Sequence, residues 1–347
     1  MRIGHLIFSL NTGGTETMLV DILNQQAEGH AVALFIVNDE VNEGLLGQIS
    51  DQVKVTRLNR KEGAKNPMVL LRLNRALSRF GATVIHCHHH KAVNLLRPSL
   101  RKRTMLTLHT TQVPVVNLKK YGKLFAISEA VRKDAHDRCS QQLQVVHNGI
   151  DVAAIAMRTK PADPQLFRIV QVGRLNQEVK GQHILFEALK ILKDQGIANI
   201  RLDLVGDGPS MPSLVGLRSS LGLNDEVRFL GARNRQYIYQ RLQDYDLLVQ
   251  PSFVEGFGLT IVEAAAAGLP VLVSDLEGPM EIIKTLQWGD SFTCGNVRSL
   301  ADGIAAMREG NAAAGTMSAL QAREAVRRHF DIHIAVSHYL KAYETIK

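Results

Sequence analysis

At 347 residues the chain exceeds the roughly 250–300 at which a single hydrophobic core stops growing, so two domains are expected. A content of 45% hydrophobic and 21% charged residues, without repeats or low-complexity tracts, excludes a disordered or fibrous chain. The net charge of +8 is uneven: residues 1–155 hold 20 Lys and Arg against 12 Asp and Glu, whereas residues 156–347 hold 21 of each.

Short apolar, β-branched runs alternate with helical patterns throughout, the signature of parallel sheets covered by helices. In the first half the runs are Arg2 to Ser9, Ala31 to Val37, Val53 to Leu58, Thr83 to His88, Thr104 to His109, Lys123 to Ser128 and Gln144 to Asn148. The second half restarts with Phe167 to Leu175, Arg201 to Gly206, Val227 to Leu230, Leu247 to Ser252 and Pro270 to Ser274. The α/β reading is therefore two doubly wound Rossmann-like domains, residues 1–155 and 156–330, with a linker in Asp151 to Pro164. Residues 331–347 read as a terminal helix with a stripe of Ile334, Tyr339, Ala342, Tyr343 and Ile346, expected to pack back on the first domain.

The three cysteines, Cys87, Cys139 and Cys294, are too widely spaced for a disulfide framework and read as reduced thiols. No apolar run approaches the roughly 20 residues of a membrane span, and a cytoplasmic protein is expected. In the basic half, Arg72, Arg75 and Arg79 recur at helical spacing opposite Val69, Leu73, Ala76, Leu77 and Phe80. Such a face suits peripheral contact with anionic lipid, at about 1 kcal/mol per basic residue near the surface, or simply solvent.

Three constellations could carry chemistry, each just after a strand, where ligands of open α/β sheets bind. The first, Asn11 to Glu16, contains Gly13 and Gly14 at a helix start, where backbone amides meet anions; it is neither a dinucleotide fingerprint nor a P-loop. The second joins Gly173-Arg174-Leu175 to Lys180-Gly181, a planar fork and a point charge suited to a diphosphate. The third is Glu255-Gly256-Phe257-Gly258-Leu259, followed by Glu263 on a helix otherwise built of Leu259, Ile261, Val262 and four alanines. A carboxylate on so apolar a helix is costly unless hydrogen-bonded, and ribose or sugar hydroxyls are natural donors to it.

Glu255 and Glu263 stand eight apart, as in the EX7E motif, and the chain resembles retaining glycosyltransferases of family 4 with the GT-B fold, in which two such domains face a central cleft. Further agreement lies in Gly13-Gly14, His109, Ile127-Ser128-Glu129, Asn148-Gly149-Ile150-Asp151, Gly206-Asp207-Gly208 and Ala267 to Val271. The resemblance implies that Arg174 and Lys180 bind the diphosphate of a UDP- or GDP-linked sugar and that Glu263 takes the ribose. It implies that Glu255, Gly256 and the Phe257, Gly258 and Leu259 amides hold the sugar, and that the Leu230 to Arg233 loop flanks the base. Gly14 is implied at the phosphates and His109 at the donor sugar, near the reacting centre. His109, Arg174, Lys180 and Glu255 form the implied catalytic set, with no cofactor and no metal. The acceptor is expected to be a glycan or lipid-linked glycan of a bacterial envelope. Thr110 and the brief stretch 111–122 depart from the family pattern.

Two metal-like strings are read otherwise. Residues 86–90, His-Cys-His-His-His, alternate faces along a strand and cannot all bind one ion, and Asp244-Tyr245-Asp246 precedes a strand instead of following it. The competing functions are an epimerase-like enzyme using the same donor without an acceptor, or a non-catalytic membrane or nucleic-acid binder on the same fold. Aromatics at 5% and a neutral second half speak against nucleic acid.

Overall fold

The computed structural model describes residues 1–11, 13–64, 66–159, 163, 165–310 and 317–345. Thr12 of the first glycine loop, residues 160–162 and 164 of the expected linker, and Ile346 of the terminal stripe lie outside the described residues. The chain forms two compact units, Met1–Ile150 with Phe330–Lys347, and Asp151–His329.

The first unit is a seven-stranded parallel sheet of β1 (Arg2–Ile7), β2 (Ala31–Asn38), β3 (Lys54–Arg60), β4 (Val84–Cys87), β5 (Thr104–Leu108), β6 (Lys123–Ala126) and β7 (Gln144–Val145). The strand order is β3-β2-β1-β4-β5-β6-β7. Strands β1, β2, β4 and β5 are buried nearly throughout, because helices cover both faces of a parallel sheet. The pairing sets His5 beside His86 across β1 and β4, a register that joins residues far apart in sequence.

The terminal helix Ile332–Glu344 lies against Gly14–Ala27, and Asp331 caps it by accepting from the His333 amide. Its buried stripe is Ile332, Ala335, Val336, Tyr339, Ala342 and Tyr343; Ile334, expected in that stripe, is only half-buried. Gly149 lets the start of this helix lie against the chain beyond β7 (Gln144–Val145), since a Cβ there would stand 2.7 Å from the Ile332 Cα, and Ile150 bridges Asp331.

The second unit is a six-stranded parallel sheet of β8 (Phe167–Val172), β9 (Ile200–Val205), β10 (Val227–Gly231), β11 (Leu247–Gln250), β12 (Val271–Ser274) and β13 (Asp290–Phe292), in the order β10-β9-β8-β11-β12-β13. Strand β13 is unexpected: three residues with two polar members give no apolar run to read. Leu185, Phe186, Leu189 and Leu192 of Gln182–Asp194 pack with Leu202, Leu204, Leu247, Val249 and Ile304 in its core.

The boundary falls at Ile150, not at residue 155, because Asp151 to Ile155 is tied to the second unit. Arg323 donates to the carbonyls of Val152, Ile155 and Ala266, at 2.7, 3.0 and 2.6 Å. Replacing it leaves three carbonyls short of a charged donor, each such bond being worth about 1.5–3 kcal/mol. Arg323→Ala is expected to lower the stability of the second unit by roughly 2–4 kcal/mol, relaxation absorbing part of the loss. The single tryptophan, Trp288, is buried there and bonded to the Leu269 carbonyl, so its fluorescence in a urea titration reports the change; an unmoved midpoint refutes the account.

Candidate active site

In each sheet the strand order reverses once, between β1 and β4 and between β8 and β11, where the loops leaving the carboxyl ends diverge and open a crevice. The sequence-predicted residues of the second unit collect at its reversal. Arg174 and Lys180 leave β8, and Glu255 leaves β11. Lys180 Nζ donates to Glu255 Oε2 at 2.6 Å, with the two side chains only 22% and 14% exposed. Gln250 Nε2 donates to the same carboxylate oxygen at 3.3 Å.

Backbone approach makes this pair possible. Gly181, at φ +66°, ends the short helix Gln177–Lys180 and caps Gln182–Asp194. A Cβ on it would stand 1.9 Å from the Pro251 carbonyl oxygen, so only glycine lets the β8 and β11 loops touch. The contact is closed by Phe253 N–H donating to the Val179 carbonyl at 2.9 Å. Arg174, one residue beyond Gly173, is exposed, and its guanidinium has no ion pair among the described residues.

Gly258 caps the helix Leu259–Ala266 at φ +113°, and no side chain takes up the cap position. The first amides of that helix therefore present partial positive charge, with no side-chain acceptor at the cap itself. Gly256 and Phe257 are buried just before it, and Glu263 is half-buried on it, with interactions of its own. Arg174, Lys180, Glu255 and this helix start belong to one end of one sheet.

The first unit has an open pocket of about 1120 Å³ at its own reversal, lined among others by Ser9, Glu16, Asn38, His88, His89 and His109. Gly14 begins the helix Gly14–Ala27 beside it, with no side-chain cap. Glu16 folds back over this helix start: a Cβ on Gly13 would lie 2.5 Å from its carboxylate, and burial raises its pKa.

Behind His109 lies a cluster that sequence reading did not find. His86 on β4 and His88, the residue just beyond its end, lie two apart, and His5 joins them from β1, in register with His86. One ring nitrogen from each of His5, His86 and His88 lies within 4.8 Å of the others. Their neighbours are Gln26, Thr107, His109, Tyr339 and Tyr343. Burial lowers the pKa of His5 and His109 to about 4, and holds His86 and His88 well below the ordinary range, with mutual repulsion adding to it. The only signal in the sequence was the two-residue spacing; the partner on β1 depends on strand order.

Asp244 and Asp246 are committed elsewhere. Asp246 pairs with Arg158 at 2.5 Å and accepts from the Arg168 amide, while Asp244 pairs with Arg241.

Two family models match the chain, Glycosyltransferase Family 4 over residues 12–154 and Glycosyl transferases group 1 over residues 155–323. The chain belongs to the family 4 glycosyltransferases and has the GT-B fold. It is 28% identical over 306 residues to a phosphatidyl-myo-inositol mannosyltransferase of Mycobacterium leprae, covering 81% of this chain and 78% of that protein. It is 24% identical to the putative glycosyltransferase EpsF of Bacillus subtilis, covering 79% of each. Among solved structures, Anabaena Alr3699/HepE in complex with UDP and glucose superposes with a TM-score of 0.81 at 23% identity, over 99% of this chain and 100% of that one. The lipopolysaccharide outer core galactosyltransferase WaaB gives a TM-score of 0.77 at 19% identity over 99% of both chains.

The histidine cluster has a consequence for acid stability. Groups that stay neutral when folded but protonate when unfolded favour the unfolded state below their unfolded pKa of about 6.5. Their contribution is full above that pH and is lost as pH falls toward 4, by up to about 1.4 kcal/mol per pH unit for each histidine. Urea titrations followed by far-UV circular dichroism are expected to show the first unit unfolding at lower urea at pH 5 than at pH 7; equal midpoints contradict the assignment.

Proposed function

We propose that this glycosyltransferase is a retaining, metal-independent enzyme that moves a hexose or N-acetylhexosamine from a UDP- or GDP-linked donor to a glycan or lipid-linked acceptor in bacterial polysaccharide or lipopolysaccharide synthesis. The observation that carries the reading is the Lys180–Glu255 pair at the strand reversal of the second unit, on the same sheet end as Arg174 and the uncapped helix start at Gly258. Cation, carboxylate and the amides of the helix start there match the three parts of a nucleotide sugar: diphosphate, hydroxyls and leaving oxygen.

In this reading the second unit binds the donor. Arg174 and Lys180 take the diphosphate, Glu263 the ribose, and Glu255 with Gly256 and the Phe257, Gly258 and Leu259 amides the transferred sugar. The first unit takes the acceptor, with Gly14 supplying a helix start to the phosphates and His109 meeting the sugar. Catalysis is stabilisation of the departing diphosphate and positioning of an acceptor hydroxyl on the same face, without a protein nucleophile. The proposed independence from metal is supported by Asp244 and Asp246, whose carboxylates serve arginines at the opposite end of β11. The donor class is supported by the UDP and glucose of the Anabaena structure, and the acceptor class by the names of the mycobacterial and lipopolysaccharide relatives.

Peripheral attachment to the inner face of a cytoplasmic membrane completes the proposal. Among the described residues no helix is long and apolar enough to cross a bilayer. The helix Pro67–Phe80 buries Val69, Leu73, Leu77 and Phe80, yet leaves Met68 57% and Leu71 66% exposed beside the exposed Arg72, Arg75 and Arg79. Apolar tips among arginines suit an anionic interface, where both contributions add.

Thermal shift and calorimetry against UDP, GDP and ADP, with and without EDTA, test the donor. One diphosphate is expected to stabilise the protein regardless of EDTA, by about 2.7 kcal/mol at a hundredfold excess over its Kd. Lys180→Ala and Glu263→Ala are expected to lower turnover roughly a hundredfold with the fold intact. Full activity in either variant, or loss on chelation that a divalent ion restores, refutes the corresponding part. Vesicle flotation tests the membrane: binding to vesicles containing phosphatidylglycerol, weakened in Arg72→Glu/Arg75→Glu, is expected, and equal partitioning onto neutral vesicles overturns it.

A further inference from the structure

A line of hydrogen bonds runs through the first unit and ends on His109. Gln26 Oε1 lies 2.8 Å from His5 Nε2, His5 Nδ1 lies 3.1 Å from His88 Nε2, and His88 Nδ1 lies 3.2 Å from His109 Nε2. Gln26, His5 and His88 are buried, and among the described residues no carboxylate or cation bonds to the line. A neutral imidazole has one N–H and one lone pair. Each ring must therefore donate at one nitrogen and accept at the other, and the whole line has only two consistent proton orders. Whichever group faces His5 at the closed end fixes the proton on His109 at the other.

Tyr343 selects between the orders. Its hydroxyl stands 2.6 Å from His86 Nδ1 and 3.4 Å from Gln26 Nε2. A phenol donates a hydrogen bond far better than it accepts one, so the short contact is O–H donating to His86 Nδ1. The phenol oxygen is then left to accept from the Gln26 amide N–H, which turns Gln26 Oε1 toward His5. His5 must donate from Nε2, His88 from Nε2 to His5, and His109 from Nε2 to His88. What remains is His109 Nδ1, a bare lone pair, buried and without a partner among the described residues, on a side chain that lines the pocket. An unpaired buried acceptor is tolerated more readily than an unpaired buried N–H, which agrees with this order.

We propose that Gln26, His5 and His88 are positioning residues that hold His109 in its Nε2–H tautomer, so that its Nδ1 accepts a hydrogen bond from a hydroxyl of the ligand in the first-unit pocket. The inference rests on the reading of His109 as a sugar-contacting residue and adds what that contact selects. A lone pair welcomes a hydroxyl and repels an acceptor-only group such as a phosphate oxygen, so this end of the pocket takes the polyol part of a ligand and not its anionic part.

Long-range proton–nitrogen correlation spectra of the full chain labelled with 15N-histidine, near neutral pH, read the tautomers directly. Signals are assigned by single His→Gln variants. In the wild type, His5, His88 and His109 are each expected to show a protonated Nε2 and an unprotonated Nδ1. In Gln26→Leu the His109 nitrogens are expected to shift toward the average of two tautomers; where that variant does not fold, Tyr343→Phe removes the same selection. A proton on His109 Nδ1 in the wild type, or an unmoved His109 signal in the folded variant, overturns the relay. Loss of the His5 and His88 N–H correlations with one equivalent of zinc also overturns it, because a metal would then join these rings. His109→Ala with full turnover on the donor that stabilises the protein would instead overturn the sugar-contact reading, so the two failures are told apart.

Discussion

A parallel sheet covered on both faces leaves chemistry almost nowhere to go except the ends of its strands, and every reactive feature of this chain obeys that constraint. The crevice opens where the strand order reverses, but its width is set by how closely the flanking loops approach each other. In the second unit glycines decide this. Gly181 meets the Pro251 carbonyl, Gly206 meets that of Gly173, and Gly278 meets those of Glu255 and Gly256, at distances from 1.9 to 2.8 Å for an added Cβ. The β8 and β11 loops are thereby brought near enough for Lys180 to reach Glu255. A side chain at any of these places displaces backbone, not a flexible tip, and the ion pair would go with it.

The two units solve different electrostatic problems with the same topology. The second carries an exposed guanidinium, a half-buried ion pair and a helix start without a resident side-chain acceptor, all suited to negative charge. The first keeps its interior neutral. The clustered histidines His5, His86, His88 and His109 are held uncharged by burial, and Glu16 covers the helix start at Gly14, so that an anion arriving there must displace a carboxylate. The basic excess of the first half is spread over exteriors such as the helix Pro67–Phe80, where it costs no desolvation and can act at long range on an anionic surface.

Much of this was legible in the sequence because it is local. Each expected strand is present, its ends moved by at most a few residues, and each glycine-rich loop follows one. What was illegible depends on partners brought together by topology. His5 and His86 are neighbours only because β1 lies beside β4, and no spacing within 86–90 announces a ring on another strand. The mutual pairing of Lys180 and Glu255, 75 residues apart, escaped notice because the resemblance assigned each to a ligand separately. The boundary was misjudged by five residues since Asp151 to Ile155 carries no mark of the arginine that binds its carbonyls. Strand β13 escaped because a three-residue edge strand needs no apolar run.

The ion pair also bears on how the proposed donor site could favour a transition state over a bound substrate. A lysine standing alone would attract the diphosphate of the intact donor as strongly as its geometry allows, and such uniform binding lowers KM without raising kcat. With Glu255 at 2.6 Å, much of that attraction is already satisfied within the protein. Lys180 then gains most from whichever state adds negative charge beside it, which is the state in which the glycosidic bond is breaking and the diphosphate departs. In the proposed reading Glu255, when its cation turns toward the leaving oxygen, would be freed to accept more strongly from the sugar hydroxyls as the ring becomes electron-poor. In the proposed reading one pair thus responds at both ends of the breaking bond, and the glycines that fix its geometry are as necessary to that response as the charges themselves.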